Sequence, residues 1–261
     1  MSAQTHTSDP AILDRRTLER DHRQLAALLK PGMKVLDVGC GTGAITTGIA
    51  RAVGPEGYVL GIDRDRTLLD YARNRYGDIG NLAFREQDVL ALDIESQFDI
   101  VTAARALQWI ERPDLAVARM KAAAKPGGLV IALDYNHDQN HWEPELPPEF
   151  RAFYNAFLKW RGANHWDNAM GDHLPGLFAA AGLGQISVSG EDEVARRGEP
   201  GFTEAASIWS SVIETLGPKI TKDGFLSETG RLAAASVWKQ WVLHDLSCQT
   251  LVLRAVAGQT P

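Results

Sequence analysis

Short apolar runs alternate with amphipathic segments along the first half of the chain. The strand-like segments occupy residues 33–39, 58–63, 81–88, 98–105 and 127–135, and all but 81–88 are mainly apolar. Segments with apolar residues at helical spacing separate several of them, at 44–54, at 66–77 and from Pro113 onward. Continuous apolar strands that alternate with helices are typical of parallel strands joined by right-handed crossovers. The pattern therefore predicts an α/β fold with a doubly wound, mostly parallel sheet.

The second half of the chain interrupts this alternation with two long segments. Residues 136–170 are dense in aromatic, histidine and asparagine residues, and 150–160 carry an apolar stripe at helical spacing. Residues 196–245 contain two amphipathic helix patterns, at 202–217 and 231–245. We expect both segments to form lids, the second together with the N-terminal helix, and an enclosed pocket implies a small acceptor. The alternative for the second segment is a dimer interface or an extension of the core.

Composition and charge narrow the possible partners. Hydrophobic residues make up 44% of the chain and charged residues 23%, as in ordinary soluble globular proteins. A net charge of −6 argues against nucleic-acid binding, which usually accompanies an excess of basic residues. Cys40 and Cys248 form no disulfide framework, and no apolar run approaches the roughly 18 residues that span a bilayer. We therefore expect a cytoplasmic protein without a membrane span.

The stretch VLDVGCGTG at residues 35–43 places glycine at every second position directly after the first predicted strand. Glycines there allow a nucleotide to approach the backbone closely. Gly39, Gly41 and Ala44 fit the G-x-G-x-x-A pattern of dinucleotide sites, with Asp63 about 20 residues further on. Spacing alone therefore leaves NAD open as a cofactor.

Asp37 favours a different nucleoside. A carboxylate at the end of the first strand would lie close to an anionic pyrophosphate in a crevice of low dielectric constant. S-adenosylmethionine has no phosphate, and it carries a sulfonium and an ammonium that such a carboxylate attracts. Ligands of doubly wound sheets bind at the carboxyl ends of the strands, where Asp63, Asp88 and Arg105 are also predicted to lie.

Four motifs in order resemble the class I S-adenosylmethionine-dependent methyltransferases, in particular the small-molecule branch of the ubiquinone and menaquinone methyltransferases. They are VLDVGCGTG, GID at 61–63, EQDVLAL at 86–92 and FDIVTAARALQWI at 98–110. KPGGLVIALDY at 125–135 resembles the family's turn and fifth strand, and LFAAAGL at 177–183 resembles a later helix. The resemblance implies a seven-stranded Rossmann-like sheet, S-adenosylmethionine as cofactor and methyl transfer to an oxygen, nitrogen or carbon of a small molecule by in-line displacement.

The resemblance also implies roles for individual residues. Gly39, Gly41 and Gly43 would line the methionyl portion, Asp63 would accept from both ribose hydroxyls, and Asp88 would accept from the adenine amine. The remaining predicted cofactor-binding residues are Asp37, Arg64, Val89 and Arg105. Ionised carboxylates suit these roles because they accept hydrogen bonds without donating. The structural alternatives are that Asp63 and Asp88 cap the following helix or turn, and that Arg105 forms a surface ion pair.

Catalytic candidates follow the fifth strand. We hypothesise that His137 or His141 accepts a proton from a hydroxyl acceptor, since the two lie four residues apart on one face of a helix and also project to one side of an extended chain. Trp142 and Trp109 would wall the pocket. The alternative is that both histidines only hydrogen-bond the loop to the core. The histidine spacings match no common metal site, so no metal is expected.

The predicted organisation has six parts. These are a helical cap at 1–30, a cofactor-binding core at 31–135, a lid insertion at 136–170, a core helix and strand six at 171–195, a helical lid insertion at 196–245, and strand seven with the C-terminus at 246–261. The expected assembly is a monomer or a homodimer. Two alternative functions stay open, a non-catalytic S-adenosylmethionine-binding protein and, with less support, an NAD-dependent oxidoreductase.

Overall fold

The computed structural model describes residues 10–261 of the chain. Within this range the strands are β1 Lys34–Val38, β2 Tyr58–Asp63, β3 Leu82–Glu86, β4 Phe98–Ala104, β5 Ala124–Tyr135, β6 His141–Glu143, β7 Gly184–Gly190, β8 Glu193–Arg196, β9 Cys248–Leu251 and β10 Leu253–Gln259. The helices are α1 Pro10–Leu13, α2 Leu18–Asp21, α3 Arg23–Leu28, α4 Ala44–Val53, α5 Arg66–Tyr76, α6 Pro113–Ala123, α7 Pro148–Ala163, α8 Met170–Ala180, α9 Phe202–Ala206, α10 Ile208–Thr215, α11 Gly217–Lys222 and α12 Glu228–His244. None of these helices combines the length and the apolar character needed to cross a membrane.

The first of two compact units comprises the described part of Met1–Asp134 together with Met170–Glu191 and Arg254–Pro261. It carries a seven-stranded sheet in the order β3-β2-β1-β4-β5-β10-β7. The strands from β3 to β5 run parallel, whereas β10 and β7 pair antiparallel. The predicted α/β fold with a mostly parallel, seven-stranded Rossmann-like sheet is therefore confirmed.

Both faces of this sheet are apolar, which explains the continuous apolar runs in the sequence. Val35 packs in one buried cluster with Ile49 of α4 and Ile131 of β5. Leu36, its neighbour in β1, packs in a second cluster on the opposite face. Because successive side chains of a strand point to opposite faces, burial on both sides requires apolar residues throughout. The strand order reverses between β1 and β4, so their carboxyl ends form the crevice where such folds bind ligands.

The second unit comprises Tyr135–Ala169 and Asp192–Leu253. It contains a three-stranded antiparallel sheet in the order β6-β9-β8, together with α7 and the four helices from α9 to α12. Its core is aromatic, with Phe150 of α7 and Trp238 of α12 at a ring-centroid separation of 4.1 Å. The aromatic stripe of residues 150–160 therefore serves as the core of this unit. That the unit acts as a lid remains a prediction.

Three predicted parts of the chain contain more elements in the structure than the sequence indicated. The single strand expected within 246–261 breaks at Val252, so β9 joins the three-stranded sheet and β10 the seven-stranded one. Strand six of the predicted 171–195 segment is likewise followed by a separate strand, β8, in the smaller sheet. The helical cap predicted for 1–30 is three short helices in its described part, because Thr17 is extended and caps α2. Residues 1–9 of that cap lie outside the described residues.

Candidate functional site

A loop of left-handed glycines follows β1. Gly39, Gly41 and Gly43 have φ values of 74°, 53° and 78°, a region that side-chain-bearing residues rarely adopt. A Cβ on Gly39 would lie 2.6 Å from the Cβ of Ala106, which follows β4. A Cβ on Gly43 would lie 2.7 Å from the Phe84 ring of β3. Gly39 and Gly43 are therefore required both by the backbone conformation and by the close approach of the Ala106 and Phe84 side chains.

Asp63 connects this loop to the end of β2. Its Oδ2 accepts a hydrogen bond from the Gly41 amide at 2.9 Å, and its Oδ1 accepts from the Asp65 amide at 2.9 Å. The capping of α5, one of the two roles considered for Asp63, belongs to Asp65, which accepts from the Thr67 amide. Burial raises the pKa of Asp63, against the lowering effect of its backbone hydrogen bonds. Each carboxylate oxygen keeps a second lone pair with which it can accept from a ligand hydroxyl.

Asp37 is the most buried acid of the loop region. Its side chain is 3% exposed, and its Oδ2 accepts a hydrogen bond from the Thr46 hydroxyl at 2.7 Å. Burial raises the pKa of Asp37 to about 7; the Thr46 hydrogen bond lowers it and the charge of Asp63 raises it further. A nearby cation stabilises the ionised form of such a carboxylate, and a nearby anion destabilises it.

Asp88 and its neighbours show the capping role that the sequence left as an alternative. The exposed Asp88 follows β3, and its Oδ1 accepts from the Leu90 amide at 2.9 Å, which caps the 3₁₀ turn Val89–Ala91. This bond uses one carboxylate oxygen. The Val89 side chain is buried and Arg64 is exposed. Contacts of Asp88, Val89 and Arg64 with a cofactor remain predictions.

Arg105 differs from the surface ion pair that the sequence left possible. It is buried, it has a φ of 58°, and its Nη1 donates to the Asp21 carbonyl at 3.0 Å. His22 lies beside it, with Nε2 3.0 Å from the Thr102 hydroxyl. Burial, followed by the charge of Arg105, lowers the pKa of His22 to about 3. Asp21 and His22 were not recognisable as site neighbours from the sequence, because no motif links the N-terminal segment to β4.

The acceptor groups of the first unit fit a cationic nucleoside. Asp37, Asp63 and Asp88 lie at or just after the ends of β1, β2 and β3, which are adjacent in the sheet. The glycines put no side chain of their own between these acids, and Gly41 is buried beneath the Leu13 side chain. The buried Asp37 and the half-buried Asp63 beside the loop favour a sulfonium and an ammonium over a pyrophosphate. The residues present therefore fit S-adenosylmethionine better than NAD.

The two candidate histidines of the second unit have different surroundings. His137 is buried; it stacks on Tyr135 at a centroid separation of 5.0 Å and meets the edge of Phe157 at 5.6 Å. Burial, followed by the charge of Arg161, lowers the pKa of His137 well below its ordinary value. His141 begins β6 and is exposed. The expectation that both imidazoles share one face is wrong, because a 3₁₀ turn containing His137 ends before β6 begins.

Trp142, predicted to wall a pocket, belongs to the core of the second unit. It is buried, its Nε1 donates to Gln249 Oε1 at 3.0 Å, and its ring packs edge-on against Tyr154 and Trp209. Among the residues from 10 onward, no group of three or more His, Cys, Asp or Glu side chains is arranged to hold a metal ion.

The chain matches a known protein family over the region that carries this geometry. The family described as a methyltransferase domain matches residues 29–182, more than half of the chain. The chain belongs to this family. The predicted membership of the class I S-adenosylmethionine-dependent methyltransferases, with that cofactor, is thereby confirmed. The matched range includes the glycine loop, Asp63, Asp88 and Arg105.

A curated relative lies in the branch that the motifs resembled. The ubiquinone/menaquinone biosynthesis C-methyltransferase UbiE of Burkholderia multivorans is 35% identical over 142 residues, which cover 52% of this chain and 55% of that protein. The chain thus spans about half the length of the curated relatives it matches.

Solved structures share the fold. Phosphoethanolamine N-methyltransferase 2 of Haemonchus contortus, with phosphomonomethylethanolamine and S-adenosylhomocysteine, matches with a TM-score of 0.59 and 21% identity over 92% of this chain and 51% of that chain. A protein of Bacillus halodurans described as a methyltransferase matches with a TM-score of 0.57 and 18% identity, over 92% of this chain and 96% of that chain. At these identities the likeness shows the fold alone.

Proposed function

We propose that this protein binds S-adenosylmethionine at the carboxyl ends of β1 to β4 and transfers its methyl group to a small-molecule acceptor. The observation that carries the proposal is the pairing of Asp37 and Asp63 with a loop of three left-handed glycines. Acidic groups at this position suit a cofactor that is cationic at its reactive sulfur.

The chain's own residues would hold the two ends of the cofactor. Asp63 already has both oxygens oriented by the Gly41 and Asp65 amides, so it presents fixed acceptors for the two ribose hydroxyls. Asp37 is held by Thr46 and supplies negative charge on the methionyl side. Asp88 and the Val89 amide would serve the adenine ring. Because these groups are fixed before binding, little reorganisation is needed.

The bound cofactor supplies a methyl group already activated by the positive sulfur. The protein's part is then to align the acceptor with that methyl carbon and to exclude water. An acceptor oxygen, nitrogen or carbon held in line with that methyl carbon would take the methyl group and leave S-adenosylhomocysteine, so no protein nucleophile would be required.

The acceptor atom stays open among oxygen, nitrogen and carbon. The Burkholderia relative is named a C-methyltransferase of quinone biosynthesis, whereas the Haemonchus structure holds a phosphorylated amine. The alignment with the former covers only 52% of this chain. We therefore propose only the class of acceptor, a small molecule.

A base is needed only for hydroxyl or carbon-acid acceptors. His137 is buried and its pKa is depressed, so it is neutral but a weak base. His141 is exposed and hydrogen-bonds through Nδ1 to the Gln139 carbonyl at 3.2 Å. Of the two candidates, the exposure of His141 favours it for proton transfer.

Isothermal titration calorimetry tests the cofactor assignment. We expect micromolar binding of S-adenosylmethionine and S-adenosylhomocysteine and no binding of NAD. The reverse order of affinities would overturn the proposal and restore the oxidoreductase alternative. Incubation with labelled cofactor and a metabolite extract then separates an enzyme, which yields a methylated small product, from a non-catalytic binding protein, which yields none.

Asp63→Ala tests the ribose role. Loss of hydrogen bonds to a charged group costs about 1.5–3 kcal/mol, so the dissociation constant should rise roughly 10- to 150-fold. Asp65→Ala removes only the cap of α5 and is the matched control, with a smaller expected effect on affinity. Equal affinity of folded Asp63→Ala and parent protein would contradict the assigned role.

A further inference from the structure

The first helix of the described chain packs directly on the candidate cofactor loop. The Cδ1 atom of Leu13, the last residue of α1, lies 3.0 Å from where a Cβ on Gly41 would stand. The Gly41 amide is one of the two backbone amides that orient Asp63. The Leu13 side chain thus covers the loop backbone that the proposed function assigns to the cofactor.

Three side chains fasten α1 to α5, and we name them the Asp14 clasp: Asp14, Tyr71 and Arg75. Asp14 Oδ2 accepts from the Tyr71 hydroxyl at 2.5 Å and from Arg75 Nη1 at 2.9 Å. Arg75 Nη1 also donates to the Tyr71 hydroxyl at 3.0 Å. Tyr71 and Arg75 are four residues apart and share one face of α5. The clasp therefore joins the residue after Leu13 to the helix that begins just after Asp63.

The segment beyond the clasp is fixed much more firmly than α1. Leu18 of α2 is buried and lies against Gly48 of α4, where an added Cβ would meet it at 2.7 Å. Asp21 accepts from the buried Arg105. By contrast, α1 has no buried residue, and its clasp ion pair is partly exposed, with the Arg75 side chain 52% and the Asp14 side chain 17% exposed. A partly exposed ion pair stabilises less than buried apolar packing, so α1 is the part of this segment that opens most easily.

We propose that α1 is a cover for the cofactor loop and that Asp14 is a positioning residue, which holds Leu13 over Gly41 while the cofactor is bound. Opening of the clasp admits S-adenosylmethionine and releases S-adenosylhomocysteine. This inference rests on the proposed function, and it adds a residue outside the family's glycine and acidic motifs to the control of cofactor exchange. Asp14 acts through Leu13 and touches no reacting atom.

Stopped-flow measurement of cofactor binding and release tests the clasp. In Asp14→Asn we expect the release rates of S-adenosylmethionine and S-adenosylhomocysteine to rise about 3- to 10-fold. Asp70→Asn is the matched control. Asp70 lies on α5 beside Tyr71, and its ion pairs are with Arg66 and Arg73 of α5. Its release rates should equal those of the parent. The parent's release should also quicken with added salt, which screens the clasp, and this dependence should be weaker in Asp14→Asn.

Several outcomes would overturn the clasp. They are an unchanged release rate in Asp14→Asn, an equal increase in Asp70→Asn, and an unaltered salt dependence. The exchanged pair Asp14→Arg with Arg75→Asp restores the opposite charges and should bring release back toward the parent rate. If no cofactor binds, the proposed function fails, and amide hydrogen exchange of residues 10–14 then decides the clasp separately. Faster exchange in Asp14→Asn than in Asp70→Asn supports it, and equal exchange refutes it.

Discussion

Asp37→Asn removes a buried charge and keeps the size of the side chain and its ability to accept from the Thr46 hydroxyl. In the folded protein the pKa of Asp37 is raised from 3.8 to about 7, with burial as the main cause. The unfolded chain loses this proton near pH 4, whereas the folded protein keeps it up to about pH 7. Between these values the folded state binds more protons than the unfolded chain. The free energy of unfolding therefore falls as the pH rises.

The magnitude follows from that difference in pKa. Each pKa unit corresponds to about 1.4 kcal/mol, so ionised Asp37 costs the folded state at most roughly 4 kcal/mol above pH 7. At pH 5 the parent carboxyl is protonated and differs little from asparagine. We therefore expect urea unfolding to show similar stabilities of parent and Asp37→Asn at pH 5, and a variant more stable by a few kcal/mol at pH 8.

The same charge should matter in the opposite sense for the cofactor. A cation beside Asp37 favours the ionised form, so binding of S-adenosylmethionine should release a proton near pH 6.5 and strengthen as the pH rises to 8. In Asp37→Asn the affinity should fall and the proton release, measured by calorimetry in buffers of different ionisation enthalpy, should vanish. Asp99→Asn is a control whose effect on stability should have the opposite sign. Partial burial raises the pKa of Asp99, but Lys125 and the Lys34 amide outweigh it and hold that pKa below its ordinary value. Equal stability of parent and Asp37→Asn at pH 8, with unchanged affinity, would refute the reasoning.

The remaining predictions concern the loop and the histidines. Gly39→Ala should destabilise the protein by roughly 1–3 kcal/mol and weaken cofactor binding, since its Cβ would meet that of Ala106 at 2.6 Å. Gly54→Ala, at a φ of 66° with open space around it, separates backbone strain from this clash in thermal unfolding. Once an acceptor is found, His141→Ala should lower turnover about 10²- to 10⁴-fold with cofactor affinity retained if the acceptor needs a base. His137→Ala should chiefly lower stability, and turnover within a few-fold of the parent in both variants would exclude an activating histidine.

Local patterns determined much of the first unit. The runs at 58–63 and 98–105 match β2 and β4 closely, because strands buried on both faces must be apolar throughout. The helix expected at 44–54 ends at Val53, and the positive φ of Gly54 terminates it. The glycine loop and the acids that follow successive strands were likewise readable, since parallel strands bring their carboxyl ends to one edge.

Tertiary structure decided which residues are covered by distant segments of the same chain. The sequence gives Arg105 as a polar residue at a strand end, but only folding brings Asp21 to it from 84 positions away. His137 and His141 look equivalent in the sequence, yet one enters an aromatic core and the other faces solvent. An imidazole's burial depends on residues such as Phe157 that local spacing does not place beside it.

The division of the C-terminal strand has the same origin. Residues 247–258 are predicted as one strand, and no neighbouring proline or glycine marks Val252 as a break. The break arises because β9 pairs with β6 and β8 whereas β10 pairs with β7. Apolar alternation determines that a segment is extended, since it reports the pleat of the strand itself. The partner strand is chosen by hydrogen bonding and packing across the chain, and so only the tertiary structure decides to which sheet each half belongs.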